Sequence, residues 1–125
     1  MSMEHFFRKH VHKTMAPTHS TLLLLIDEYP NSTQQFLSEV VGLQRSTMAR
    51  TIDEFEKKGW AKRYKVEGDR RSLAIRLLPK GKKLIDRIAP KLFAIEEHVL
   101  KTLGRKRREE LKKLLKEYQD CLWDY

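Results

Sequence analysis

Apolar residues recur every three or four positions over most of this chain, which predicts a protein built mainly of helices. A short helix is predicted over Met3 to Lys13, and Pro17, which suits a first helical turn, opens a second. The third should be capped by Ser32 or Thr33 and carry an inward stripe of Phe36, Leu37, Val40 and Val41. Gly42 then turns the chain into a fourth helix.

The pattern changes from helical to alternating between residues 46 and 77. Ser46 is a suitable N-cap for a helix that ends at Lys58, just before a glycine suited to a helix C-terminus. Apolar and polar residues then alternate over Trp60 to Val66 and over Ser72 to Leu77, as two half-buried strands require. Gly68-Asp69 favours a hairpin turn between them. The predicted fold class is mainly α with a small β-hairpin wing, in the order of a winged helix-turn-helix.

Two further helices are predicted after the hairpin. Pro79 opens a long one with a kink near Ile88, because Pro90 removes a backbone hydrogen bond, and Gly104 precedes the last. The last helix has a wide apolar stripe of Leu111, Leu114, Leu115, Tyr118, Leu122 and Trp123. The chain has little core left to cover this stripe, so both terminal segments, including Phe6 and Phe7, are candidates for a subunit interface. We predict one domain over residues 1–125, with a DNA-binding region at 17–87 and dimerisation helices at 1–16 and 88–125.

Charge is concentrated on the predicted winged region. The window from Gln44 to Arg87 has 14 Lys+Arg and 6 Asp+Glu, and so carries +8 of the formal net charge of +9. Such a basic module is typical of phosphate binding. Cys121 is the single cysteine and cannot form an internal disulfide, and the apolar run Leu22 to Ile26 is far shorter than the roughly 18 residues of a membrane span. We expect a cytoplasmic protein without membrane contact, nucleoid-associated when bound to DNA.

A more specific signal lies in residues 37–43 (LSEVVGL) and 46–60 (STMARTIDEFEKKGW), followed by Arg63, Asp69-Arg70-Arg71 and the segment Leu77 to Gly81. In these motifs the chain resembles the multiple-antibiotic-resistance regulator (MarR) family. The resemblance implies a homodimer with interlocking terminal helices, in which each winged module binds half of a pseudo-palindromic double-stranded DNA operator. It also implies repression of nearby genes, with DNA released when a small-molecule effector binds or a cysteine is oxidised. Where the family usually has a small alanine this chain has Ser38, whose hydroxyl should find a backbone carbonyl.

The predicted DNA contacts lie at the start of the recognition helix and in the wing. The helix dipole and free N–H groups of a helix N-terminus favour phosphate, and arginine binds guanine bidentately or clamps phosphate. The predicted contact residues are Gln44, Arg45, Ser46, Thr47, Arg50, Thr51, Arg63, Lys65, Asp69, Arg70 and Arg71.

The wing and the strand cations have alternative interpretations. The resemblance assigns Asp69 the role of holding Arg71 extended into the minor groove, whereas the alternative is an ordinary surface ion pair. Arg63 and Lys65, together with Lys62, are either general phosphate contacts or solvated strand charges.

Three further groups leave alternatives open. Cys121 is either a redox switch or a packing residue, and the basic run Arg105 to Arg108 is either a second contact for DNA or an acidic partner or a solvated surface. His5, His10, His12 and His19 could form a metal site with Glu4 or Glu28. Their spacing fits no tight ligand pattern, so we predict neither a metal nor a cofactor. The sequence has no nucleophile motif and no glycine-rich phosphate loop, so we do not expect an enzyme.

Taken together, these features predict a sequence-specific double-stranded DNA-binding transcription regulator, acting as a ligand-responsive homodimeric repressor. One alternative is an architectural protein that coats DNA with little sequence preference, whose binding would depend steeply on salt. A second is a MarR-like protein-interaction module that no longer binds DNA, against which the wing arginines argue.

Overall fold

A computed structural model describes residues 2–125, apart from the side chains of residues 69–72. Six helices and three strands lie in this part of the chain. They are α1 (Met3–His10), α2 (Pro17–Glu28), β1 (Ser32–Thr33), α3 (Gln34–Val41), α4 (Arg45–Lys57), β2 (Ala61–Val66), β3 (Asp69–Leu77), α5 (Pro79–Leu103) and α6 (Arg105–Trp123). The mainly helical content agrees with the prediction from hydrophobic spacing.

Most of the predicted helix boundaries are confirmed by their caps. Pro17 lies in the first turn of α2, and Thr33 caps α3 by accepting a hydrogen bond from the Phe36 N–H at 3.0 Å. Gly42 ends α3 in a left-handed conformation, with φ of 75°. Pro17, Thr33 and Gly42 therefore set ends of α2 and α3 through local backbone conformation and hydrogen bonding.

The predicted start of α4 was wrong by two residues. The helix begins at Arg45 and its N-cap is Gln44, which makes no side-chain capping bond, so Ser46 lies inside the first turn. Met48, Ile52 and Phe55 are all fully buried on one face of α4. Tertiary packing of this face therefore outweighs the capping preference of serine.

The three strands form an antiparallel sheet in the order β1-β3-β2. The hairpin of β2 and β3 confirms the predicted wing, but β3 begins at Asp69, three residues earlier than predicted, and the turn is Glu67-Gly68. The register is irregular near the turn, because Lys65 pairs with Leu73 whereas Val66 pairs with Asp69. The two-residue strand β1 was not predicted, since it is too short to show an alternating pattern.

Helix α3 corrects the predicted inward stripe. Leu37 is fully buried, but Phe36 and Val40 are 43% and 52% exposed. The Phe36 ring instead lies edge-on to Tyr29, with the ring centroids 6.4 Å apart. Ser38 is buried and donates its hydroxyl hydrogen to the Gln34 carbonyl at 3.0 Å, which confirms the expected backbone partner.

Helix α5 begins in close contact with the backbone of Trp60. The Leu78 N–H donates to the Trp60 carbonyl oxygen at 2.8 Å, and a Cβ atom added to Gly81 would lie 2.1 Å from that same oxygen. Lys82 donates to Asp27 of α2 at 3.0 Å, and this hydrogen bond raises the pKa of Lys82. The start of α5 is therefore joined both to α2 and to the chain that directly follows α4.

The chain divides into two compact units, one that ends at Pro90 and one from Lys91 to Tyr125. Phe7 is buried within the single chain, so it does not remain exposed for a subunit interface. In the second unit, α6 has no buried residue, and its apolar stripe is exposed. The division into DNA-binding and dimerisation regions stays a prediction.

Candidate nucleic-acid interface

The start of α4 presents a continuous polar and basic surface. Gln44, Arg45, Ser46 and Arg50 are exposed, and Thr47 is half-buried. Ser46 and Arg50 are four residues apart and therefore lie on the same side of the helix. The opposite side is packed into the core through Met48, Ile52 and Phe55. The core thus fixes which side of α4 faces outward.

Most charges of α4 run against the helix macrodipole. Its first turn has Arg45 and no acid, with Arg50 one turn further on, whereas Asp53, Glu54 and Glu56 lie in its second half. Lys57 in the last turn is the helix residue whose charge agrees with the dipole. A helix is stabilised by acidic residues at its N-terminus and basic residues at its C-terminus, each by about 0.3–1 kcal/mol. Local helix stability therefore does not explain the arrangement. An anionic partner at the N-terminal end does explain it, because phosphate gains from both the arginines and the free N–H groups.

Thr51 does not belong to this surface. Its side chain is 6% exposed and its hydroxyl donates to the carbonyl oxygen of Thr47 at 2.9 Å. It lies on the inward side of α4, one turn from Met48 and Phe55, so it is not placed to contact DNA.

Arg63 is also directed inward. Its side chain is 19% exposed, and its guanidinium hydrogen-bonds to acceptors on two helices. These acceptors are Gln34 Oε1 at 3.1 Å, Asp53 Oδ1 at 2.6 Å, the carbonyl oxygen of Ala49 at 2.9 Å, and Glu56 Oε1. Arg63 was predicted to contact phosphate, but the donors of its guanidinium are engaged by acceptors within the chain.

The wing contributes further cations. Lys65 is exposed on β2, whereas the side chains of Asp69, Arg70 and Arg71 lie outside the described residues. Sequence reasoning missed Arg76, which the antiparallel register places opposite Lys62. Both cations lie near the ring of Tyr64, with Arg76 Cζ at 5.0 Å and Lys62 Nζ at 5.8 Å from its centroid. One face of the hairpin therefore combines two cations with an aromatic ring.

The N-terminal histidines have partners other than a metal. The His10 ring lies 4.5 Å from the ring of Phe6, and His12 Nδ1 accepts backbone N–H groups from Thr14 and Met15. Among the described residues, no group of three or more His, Cys, Asp or Glu side chains is arranged to hold a metal ion. His10 and His12 therefore make contacts within the chain, the first inside α1 and the second in the segment that follows it.

His19 packs edge-on against Phe55, the largest buried side chain of α4, with the ring centroids 5.4 Å apart. Burial lowers the pKa of His19 below its ordinary value of 6.5, and Lys58 acts in the same direction, whereas Glu54 opposes both. The neutral imidazole is therefore the form that suits the folded protein.

We predict that His19 makes the fold sensitive to acid. Because the folded state disfavours its protonation, the unfolded state takes up the proton first as the pH falls below 6.5. Stability is therefore lost between 6.5 and the lowered pKa of the folded state, and His19→Gln should reduce this loss. Denaturant unfolding at a series of pH values measures it, and an unchanged pH dependence in the variant would contradict the prediction.

The second unit has its own charged and apolar features. Arg108 donates to Glu96 at 3.1 Å and lies 3.9 Å from Glu109, whereas Arg105, Lys106 and Arg107 are exposed. Cys121 is a free, exposed thiol. Within the described part of the chain, every helix falls short of the length and apolar character needed to span a membrane.

Sequence comparison relates the chain to known regulators. The family model of the MarR family matches residues 15–73. The HTH-type transcriptional regulator PecS of Dickeya dadantii (strain 3937) is 31% identical over 87 residues, which are 70% of this chain and 52% of PecS. The chain therefore spans about half the length of this relative.

Solved structures of transcriptional regulators have a similar fold. The PcaV transcriptional regulator from Streptomyces coelicolor, in complex with its natural ligand, matches with a TM-score of 0.84 and 20% identity, over 94% of this chain and 83% of PcaV. The transcriptional repressor CouR, bound to a 23-mer DNA duplex, matches with a TM-score of 0.83 and 25% identity, over 93% of this chain and 83% of CouR. These likenesses confirm the predicted winged helix-turn-helix.

Proposed function

We propose that the chain is a member of the MarR family, whose family model matches residues 15–73, and that it is a sequence-specific double-stranded DNA-binding transcription regulator that acts as a homodimeric repressor. The observation that carries the proposal is the N-terminal end of α4. Arg45, Ser46 and Arg50 are exposed there, and the first turn of α4 has a cation and no acid, which the helix dipole disfavours. CouR, a repressor of similar fold, is bound to a DNA duplex.

In the proposed complex, the start of α4 enters the major groove and the wing lies beside it. Exposed arginine and serine side chains can then reach base edges, while backbone N–H groups of the first turn face a phosphate. Asp69, Arg70, Arg71 and Lys65 of the wing supply the contacts next to this groove. Such a protein acts in the cytoplasm, at the nucleoid, as a regulator rather than an enzyme.

The proposal includes a small-molecule effector, because PcaV, of similar fold, is known in complex with its natural ligand. Two recognition helices must match the spacing of two half-sites on the duplex. A ligand that binds more tightly to a state with a different separation of these helices shifts the protein toward that state and lowers its affinity for the operator. The ratio of the ligand's affinities for the two states limits the size of this effect.

The experiment that tests the function is a mobility shift with DNA from upstream of the protein's own gene, in the presence of nonspecific competitor, over a salt series. We expect saturable binding and a footprint over an inverted repeat. Binding that competitor abolishes would support the architectural alternative. Absence of binding at low salt would overturn the proposal and favour a protein-interaction module.

The proposed dimer leads to a prediction for α6. Leu115 is exposed in the single chain, so Leu115→Asp should leave the protomer folded and yet place a carboxylate in the apolar interface. We expect a change from dimer to monomer in analytical ultracentrifugation at micromolar concentration. Lys113→Ala, on the opposite side of the same helix, is the matched control and should remain dimeric. A Leu115→Asp protein that remains fully dimeric would contradict the assignment of the stripe to the interface.

A further inference from the structure

We infer that Arg63 is a positioning residue for the recognition helix and acts on DNA binding without touching DNA. The inference rests on the proposed function, and it assigns a separate role to a cation that the sequence alone would assign to phosphate. It is carried by the hydrogen bonds of one guanidinium, which join β2 to both helices of the helix-turn-helix.

The contacts of Arg63 fix α4 at three points along its length. Its guanidinium donates to the Ala49 carbonyl at 2.9 Å, to Asp53 at 2.6 Å and to Glu56, which together span about two turns of the helix. A further bond, from Nε to Gln34 Oε1 at 3.1 Å, reaches the first residue of α3. The planar arrangement of the donors gives these four bonds a fixed geometry, which a lysine ammonium cannot reproduce.

The same contacts neutralise charge on the outward side of α4. Asp53 lies three residues after Arg50, on the same side of the helix, and its side chain is 57% exposed. A free carboxylate at this place would repel the phosphates that Arg50 attracts. Arg63 pairs with both Asp53 and Glu56, and therefore removes this repulsion as well as setting the orientation of the helix.

Burial and bonding explain why Arg63 does not contact phosphate itself. Its side chain is 19% exposed, and turning it outward would leave Asp53 and Glu56 without this partner. Lys65, two residues further along β2 on the same side of the strand, is exposed instead. Of these two cations on β2, Arg63 therefore positions α4, whereas Lys65 is available to contact phosphate.

The test compares Arg63→Lys, Arg63→Gln and the matched control Lys65→Gln in binding to the operator and to nonspecific duplex, well below each melting temperature. We expect Arg63→Lys, which keeps the charge, to weaken operator binding by about tenfold while nonspecific binding stays near the wild-type value. A mere loss of folded protein would lower both affinities by the same factor. Lys65→Gln should weaken both, because it removes a phosphate contact.

The salt dependence separates positioning from direct contact. Loss of a phosphate contact lowers the slope of log affinity against log salt by about 0.9, so Lys65→Gln should show this full reduction and Arg63→Gln a smaller one. The inference is overturned if Arg63→Lys binds the operator like the wild type, or if Arg63→Gln lowers the slope as much as Lys65→Gln does.

A measurement without DNA keeps this inference distinguishable from the proposed function. Hydrogen exchange of the α4 amides should become faster in Arg63→Lys than in the wild type, and should stay unchanged in Lys65→Gln. If the wild type fails to bind any DNA, the proposed function fails, and the exchange data still decide whether Arg63 holds α4. Unchanged exchange in Arg63→Lys would overturn the positioning role.

Discussion

Gly81→Ala is expected to lower the free energy of unfolding by about 2 kcal/mol in all, because overpacking costs up to about 3 kcal/mol and a gain in helix propensity offsets part of it. The new methyl group would lie 2.1 Å from the carbonyl oxygen of Trp60 and 2.9 Å from its carbonyl carbon. Both are backbone atoms, which cannot move aside as the end of a flexible side chain can. The better helix propensity of alanine, about 1 kcal/mol over glycine, offsets only part of this cost. Denaturant unfolding measures the change.

Gly68→Ala is the matched control for this experiment. Gly68 has a φ of 82° and no heavy atom within 4 Å of an added Cβ, so its substitution adds conformational strain without a clash. Its expected cost is about 1–2 kcal/mol, the cost of a left-handed conformation in a residue with a side chain. If Gly81→Ala were as stable as the wild type, α5 would not approach Trp60 as closely as described.

Arg50→Ala combined with Arg71→Ala is expected to reduce operator binding by at least about thirtyfold at physiological salt, because each good arginine contact contributes about 1–3 kcal/mol. Arg50 is exposed on α4, so its removal leaves the core intact. Arg71 belongs to the wing and is assigned its contact by the family resemblance. Titration of labelled operator by fluorescence anisotropy measures the loss.

Two comparisons make this result specific. Lys113→Ala removes a cation from α6 and should bind the operator like the wild type, which separates local contacts from net charge. The double variant should also keep the wild-type melting temperature within a few degrees. Unchanged operator affinity in the double variant would contradict the proposed interface.

The fold was predictable where local chemistry decides it. Pro17, Thr33 and Gly42 set helix ends through their own backbone or side-chain bonds, and the structure has them in those places. The start of α4 was not predictable in this way, because packing of its apolar face overrides the cap that Ser46 offers. The stripe of α3 was likewise overestimated, since periodicity indicates which residues share a side but not how much of that side is covered.

The candidate site was predictable only for residues whose exposure follows from helical spacing. Arg50 is opposite the buried side of α4, and the spacing of Met48, Ile52 and Phe55 indicates that side. Arg63 was not predictable, because its partners are 7 to 29 residues away along the chain and no local pattern connects them. Thr51 was placed among the contacts by its position in the motif, although the fold directs it inward.

The reversed charges of α4 set a conflict between stability and function. A selection for heat resistance alone would favour an acidic residue in place of Arg45, in the first turn, and a basic residue in place of Glu54, in the last turn, each worth some tenths of a kcal/mol. Every such substitution would stabilise the recognition helix and weaken its binding to a polyanion. Stabilised variants of this protein are therefore best sought outside α4, because improvements within it would be obtained at the expense of DNA binding.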